Sequence, residues 1–236
     1  MDNSSNPEYL RTVELVCEPD RRSTQLATIN IETGLIKSKT LADQHQAISK
    51  FCLNQDVPEV IRVHFETAKN LYLYAWFVFR FYPVAEQQAL ASLEFALRIY
   101  LKEFVERYVA SNRFGHEPGL GTLLKEAIKQ QVIRNEAFTC RDRWALNMAQ
   151  DRFRFEQIKN MMDANIDFME MMDESTVQAS EADINHDWLS AFVEYIPAVR
   201  NDYAHGSQTL KHTVLHTFEV TTEIINQLYP DKTSLI

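Results

Sequence analysis

The sequence predicts an all-α protein, mainly a helical bundle, with a small N-terminal β-hairpin. Three observations predict it. From Asp56 onward apolar residues recur with the 3.6-residue period of amphipathic helices. The prolines sit between apolar-rich segments, where they start or stop helices. Strand-like composition is confined to residues 12–40.

In chain order, Thr12 to Cys17 is short and rich in β-formers. Leu26 to Ile31, Glu32-Thr33-Gly34 and Leu35 to Lys39 read as a β-hairpin. Asp56 with Pro58 starts a helix that runs to about Tyr82, and Pro83 opens a second that continues to about Asn112. Tyr72, Trp76 and Phe79 follow i, i+4, i+7 and belong to the core. Gly115, Pro118, Gly119 and Gly121 disfavour helix, which makes Asn112 to Gly121 the clearest loop. Helices follow at Leu120 to Ile133 and about Asp142 to Met172, then a polar linker at Asp173 to Asp183 and a helix over about Ile184 to Tyr195. Pro197 fits the first turn of a short helix that Gly206 closes, and Thr209 to Leu228 forms the last helix before Pro230. The chain thus divides into an N-terminal hairpin extension, 1–50, and a helical domain, 51–236, carrying an acidic insert at about 160–199.

Composition excludes several function classes. With 45% apolar residues and 11% aromatics the chain has the material for a core. Its five glycines form neither G-x-G-x-x-G nor G-x-x-x-x-G-K-[ST], so nicotinamide dehydrogenases and P-loop NTPases drop out. Cys17, Cys52 and Cys140 are odd in number and lack C-x-x-C spacing, which indicates neither a disulfide framework nor a thiolate zinc site. His212 and His216 lie four apart, a spacing able to bind zinc on one helix face, but they have no further ligands and read as a surface pair. No metal and no cofactor is expected.

Met1 to Arg11 is polar and lacks the apolar core of a signal peptide. The longest apolar run, Leu71 to Phe79, falls well short of the ~18 to 20 residues of a membrane helix. A cytoplasmic protein with reduced thiols and no membrane segment is expected. The net charge is −9, and between Lys159 and Arg200 nine acids occur with no Lys or Arg. That segment reads as a solvated face or as a surface that docks a basic protein partner.

The informative string is Arg200-Asn201-Asp202-Tyr203-Ala204-His205-Gly206. With 14 Arg and 7 His in the chain, an Arg followed four to six positions later by a His arises about once by chance, so the weight lies in context. The string resembles the signature of the HEPN superfamily (higher eukaryotes and prokaryotes nucleotide-binding domains), in which an Arg, usually followed by a polar residue, precedes a His by four to six positions. Asn201 fills the polar slot, Ala204 and Gly206 flank the His, and the string abuts the last helix of a helical chain. Ala89-Leu90-Ala91-Ser92-Leu93-Glu94-Phe95-Ala96-Leu97-Arg98 is similar to the acidic, alanine-containing helix that many HEPN domains pack against the motif.

The resemblance implies a metal-independent endoribonuclease, a toxin or antiviral effector, with RNA as substrate. On one regular helix Arg200 and His205 would stand about 140° and ~7.5 Å apart, so one helix does not easily aim both at one point. The family, as the resemblance implies, answers this with a homodimer whose two motifs line one cleft. There Arg200, His205 and Asn201 are the candidate catalytic residues. His205 would serve as general acid and base, Arg200 would stabilise phosphate charge, and Asn201 would orient either. Asp202, Tyr203 and Glu94 are candidate supporting residues, Glu94 as partner of Arg200. The acidic balance speaks for an alternative, a catalytically inactive HEPN-like module that binds a nucleotide or a protein partner, unless the fold gathers Arg134, Arg141, Arg143, Arg152 and Arg154 into a basic patch. An antidote protein is a further expected partner of a toxin.

Overall fold

The computed structural model describes residues 8–29, 34–167, 173–204 and 211–231. The fold is mainly helical, with ten α-helices and one small antiparallel hairpin among the described residues. The chain separates into two compact units, Met1–Val132 with Val193–Ile236, and Ile133–Phe192.

The first unit begins with a short helix, α1 (Arg21–Thr24), capped by Asp20. Strand β1 (Ala27–Ile29) pairs with β2 (Ile36–Ser38), Thr28 opposite Lys37, and every residue of both strands is exposed. The hairpin turn at 30–33 lies outside the described residues. Thr12–Cys17 is not a strand. Its chain folds back in turns, with the Leu15 amide donating to the Thr12 carbonyl, and among the described residues no strand pairs with it to take up its backbone groups.

Helix α2 (Leu41–Ser49) starts on a capping box of Thr40 and Asp43. Helices α3 (Glu59–Tyr74) and α4 (Phe81–Tyr100) follow, and Pro83 sits in the first turn of α4, where its missing amide costs little. The expected long second helix is two: the chain breaks at the buried Leu101 (φ −95°, ψ 30°) and resumes as α5 (Lys102–Ser111). After the loop comes α6 (Leu120–Lys129), shorter than expected at its end, where Gln131 takes a positive φ.

Helix α4 is central: α3, α6 and the last helix, α10 (Leu215–Leu228), pack on it. The core they enclose centres on Phe218, whose ring lies 5.8 Å from Phe65 and 6.0 Å from Tyr72. Tyr72, Trp76 and Phe79 are buried, as expected from their spacing. Several buried polar groups are paired: the Tyr82 hydroxyl donates to Gln44, Gln44 donates to the Tyr72 carbonyl, and Thr217 donates to Glu86 across α10 and α4. Helix α10 starts later than expected, so His212 lies before it, against the Phe79 and Tyr82 rings, and shares no helix face with His216.

The second unit holds α7 (Arg141–Asp163), α8 (Glu181–Ile184) and the first five residues of α9 (Trp188–Ala204). The expected continuation of α7 to Met172 fails, since the helix ends at Ala164 and Asn165 is left-handed. Residues 168–172 lie outside the described residues. Phe138, Trp144, Trp188 and Phe192 form its aromatic core, with the two indoles 5.2 Å apart. Acids of the segment around 160–199 meet arginines of α7. Arg152 bonds Asp183, and Arg154 bonds Glu174 and Asp151. These two arginines are therefore neutralised and do not supply an open basic patch. Asp187 accepts from the Ser190 hydroxyl, from Asn135 and from the Ser190 amide, and these bonds hold its carboxyl below the usual range.

Candidate functional site

Helix α9 carries the first five residues of the string, Arg200 to Ala204. Pro197 does not start a helix of its own. It lies inside α9, which runs unbroken from Trp188 to Ala204. Without an amide at 197 the Val193 carbonyl loses its intrahelical donor. Val193, Pro197, Arg200 and Asn201 follow i, i+4, i+7 and i+8, so one face of α9 presents all four to a cleft of about 460 Å3.

The other walls come from α4 and α6. Glu94 and Arg98, one turn apart on α4, and Gly119, Leu120, Gly121, Thr122 and Lys125, from the start of α6, complete the lining. Gly121 makes room for this geometry. A Cβ there would stand 3.2 Å from Pro197 Cγ, so the absence of a side chain lets the first turn of α6 lie against α9. Gly119 occupies the N-cap position of α6 with no side chain to cap the helix. The first amides of the helix have no intrahelical partner, and its dipole favours an anion there.

Glu94 is the electrostatic centre. One of its oxygens accepts from Arg98 at 2.7 Å, and the other lies 3.5 Å from Arg200 Nε. Arg98 also bonds Glu117 and donates to the Pro118 carbonyl at 3.0 Å, which fastens the loop before α6 to α4. Arg98 is thus engaged on all sides. Arg200, with 43% of its side chain exposed against 12% for Glu94, makes only the long Glu94 contact among the described residues. Lys125 has no acidic partner among the described residues and is exposed.

The structure brings Arg200, Asn201 and Glu94 together. Asp202 lies on α9 but is exposed and does not line the cleft. Tyr203 and Ala204 belong to the α9 backbone, whereas their side chains, and His205 and Gly206 altogether, lie outside the described residues. Arg200 pairs with neither Asp202 nor Glu194. Among the described residues no group of three or more His, Cys, Asp or Glu is placed to hold a metal ion. None of the three cysteines is in a disulfide. No helix among the described residues is long and apolar enough to cross a membrane.

No family model, curated protein or solved structure matches the chain. The chemistry of the cleft therefore rests on its own residues. Two of its charged members have no role assigned from the sequence. Arg98 stood in the quoted α4 string without an assigned role, and its i, i+4 spacing from Glu94 was the available signal. Lys125 had none, since only the fold brings it beside Arg200.

Proposed function

We propose that the chain is a metal-independent endoribonuclease of HEPN type. The observation that carries this reading is the shared cleft of Arg200, Asn201 and Glu94, next in sequence to His205. In the reaction the 2′-oxygen of RNA attacks phosphorus and the bond from phosphorus to the 5′-oxygen breaks. His205 takes the 2′ proton, and the same residue of a second copy protonates the leaving 5′-oxygen. The products are a 2′,3′-cyclic phosphate and a 5′-hydroxyl.

Arg200 stabilises the charge that grows on the phosphate, for which its planar fork suits two oxygens at once. Asn201 orients the phosphate or the imidazole by hydrogen bonding. Glu94 is a positioning residue: it fixes the guanidinium of Arg200 through Nε and leaves the terminal nitrogens to the phosphate.

The Arg200–Glu94 contact also fits a second reading, a catalytically inactive helical module in which the arginine only ties α9 to α4. Cleavage of total RNA in EDTA by wild type, Arg200→Ala and His205→Ala separates the two. Cleavage by wild type, lost in both variants, supports the nuclease. No cleavage by well-folded wild type, or undiminished cleavage by His205→Ala, supports the module.

A further inference from the structure

We infer that the α6 wall of this cleft, through Lys125 and Thr122, binds a backbone phosphate of the RNA strand beside the one that Arg200 engages. The inference rests on the nuclease reading only for the identity of the strand, since the phosphate chemistry follows from the cleft.

The chain carries a net charge of −9, yet the cleft is lined by three cations, Arg98, Lys125 and Arg200, and one acid, Glu94. Arg98 is consumed by Glu94, Glu117 and the Pro118 carbonyl. Two cations with spare donors remain, Arg200 from α9 and Lys125 from α6, and both line the same concave surface. A concave surface of one sign concentrates counter-ions of the other. Thr122 and Asn201 add neutral donors to the same lining. Arg200 offers a planar fork and Lys125 a point charge, the pairing that suits one oxyanion held by two oxygens and a neighbouring one held by charge. The volume, about 460 Å3, falls within the ~300–1,000 Å3 of small-ligand clefts and admits a nucleotide.

The remaining surfaces point to no ligand. The apolar stripe Phe155, Ile158 and Met162 on α7 is exposed, but nothing indicates what would cover it. His64, Ser92 and Gln88 form a hydrogen-bonded cluster on α3 and α4 whose polar atoms satisfy one another, and Ser92 is fully buried.

The test is binding of a fluorescein-labelled 12-nucleotide 2′-O-methyl RNA, which keeps every phosphate and cannot be cut, to wild type, Lys125→Ala and Lys129→Ala, with 5′-AMP as a second probe. Lys129 lies on the same helix but does not line the cleft, so it controls for net charge. Lys125→Ala is expected to weaken RNA binding about tenfold and to reduce the slope of log affinity against log salt by about 0.7, one phosphate contact on a single strand. Lys129→Ala leaves both unchanged. Equal effects of the two variants, or none from Lys125→Ala, overturn the inference. Lys125-dependent binding of 5′-AMP but not of RNA keeps the phosphate site and assigns it to free nucleotides. Lys125-dependent RNA binding without cleavage of ordinary RNA sinks the nuclease and leaves this site standing. Cleavage without Lys125 dependence does the reverse.

Discussion

Gly121 faces Pro197 across the cleft wall: a methyl group on the Gly121 Cα would stand 3.2 Å from the proline Cγ. Both residues line the cleft, where the first turn of α6 approaches α9. A larger residue at 121 has to push the proline ring or its helix aside. Gly121→Leu is expected to cost about 1–3 kcal/mol by overpacking. Pro197→Ala, combined with it, should recover part of that loss because the ring that is struck is gone. Denaturant titrations of the two single variants and the double variant measure the coupling; additive losses would show that the two residues do not meet.

Glu94 holds Arg98 and Arg200 together. Glu94→Ala is expected to lower stability by about 1–3 kcal/mol, the cost of leaving charged donors without their acceptor. If Arg200 engages phosphate, the same variant reduces cleavage by about 10²-fold through misplacement of the guanidinium. Stability from chemical denaturation and single-turnover cleavage check the two parts separately, and a stable but fully active variant would remove Glu94 from the site.

Asp20 gives the fold a defined acid sensitivity. Burial opposes its charge, but hydrogen bonds and charge from Arg22, with the Phe79 amide, outweigh this and hold its carboxyl below the ordinary value. The group is depressed on folding, so its contribution is fully present above the unfolded pKa of about 3.9 and is lost as the pH falls through the lower folded value. Asp20→Asn is therefore expected to reduce stability at pH 7 and to flatten the loss of stability below about pH 4. An unaltered acid transition in that variant would contradict the assignment.

Trp144 sits at the middle of the aromatic core of the second unit, in contact with Phe138, Trp188 and Phe192. Trp144→Ala is expected to cost about 3–5 kcal/mol of local stability. Amide exchange over Ile133–Phe192 should accelerate accordingly, and unchanged protection there would refute the packing described.

Much of this fold is legible in the sequence because periodicity reports burial directly. Tyr72, Trp76 and Phe79 are core for the reason their spacing implies. The hairpin was readable from its β-formers, and the Asn112–Gly121 loop from its helix breakers. Thr12–Cys17 misled because β-propensity expresses a pairing surface, and among the described residues no strand pairs with this one. The proline rule failed at Pro197, since proline disfavours a helix interior without forbidding it, and α9 continues through it at the cost of the bond to the Val193 carbonyl. Leu101 ends α4 with neither Pro nor Gly to announce it. Within the site, the local string supplied Arg200 and Asn201, and the α4 pattern supplied Glu94. Lys125 and the Gly121 approach are products of tertiary packing, invisible to any local pattern.

The central claim is that the cleft of Arg200, Asn201 and Glu94 serves RNA cleavage without a metal. The most direct measurement is the chemistry of the ends left on a defined RNA incubated with the protein in EDTA. The account predicts 2′,3′-cyclic phosphate and 5′-hydroxyl ends from wild type and none from Arg200→Ala or His205→Ala. Ends bearing a 5′-phosphate and a 3′-hydroxyl, or cyclic-phosphate ends that persist in both variants, would contradict it.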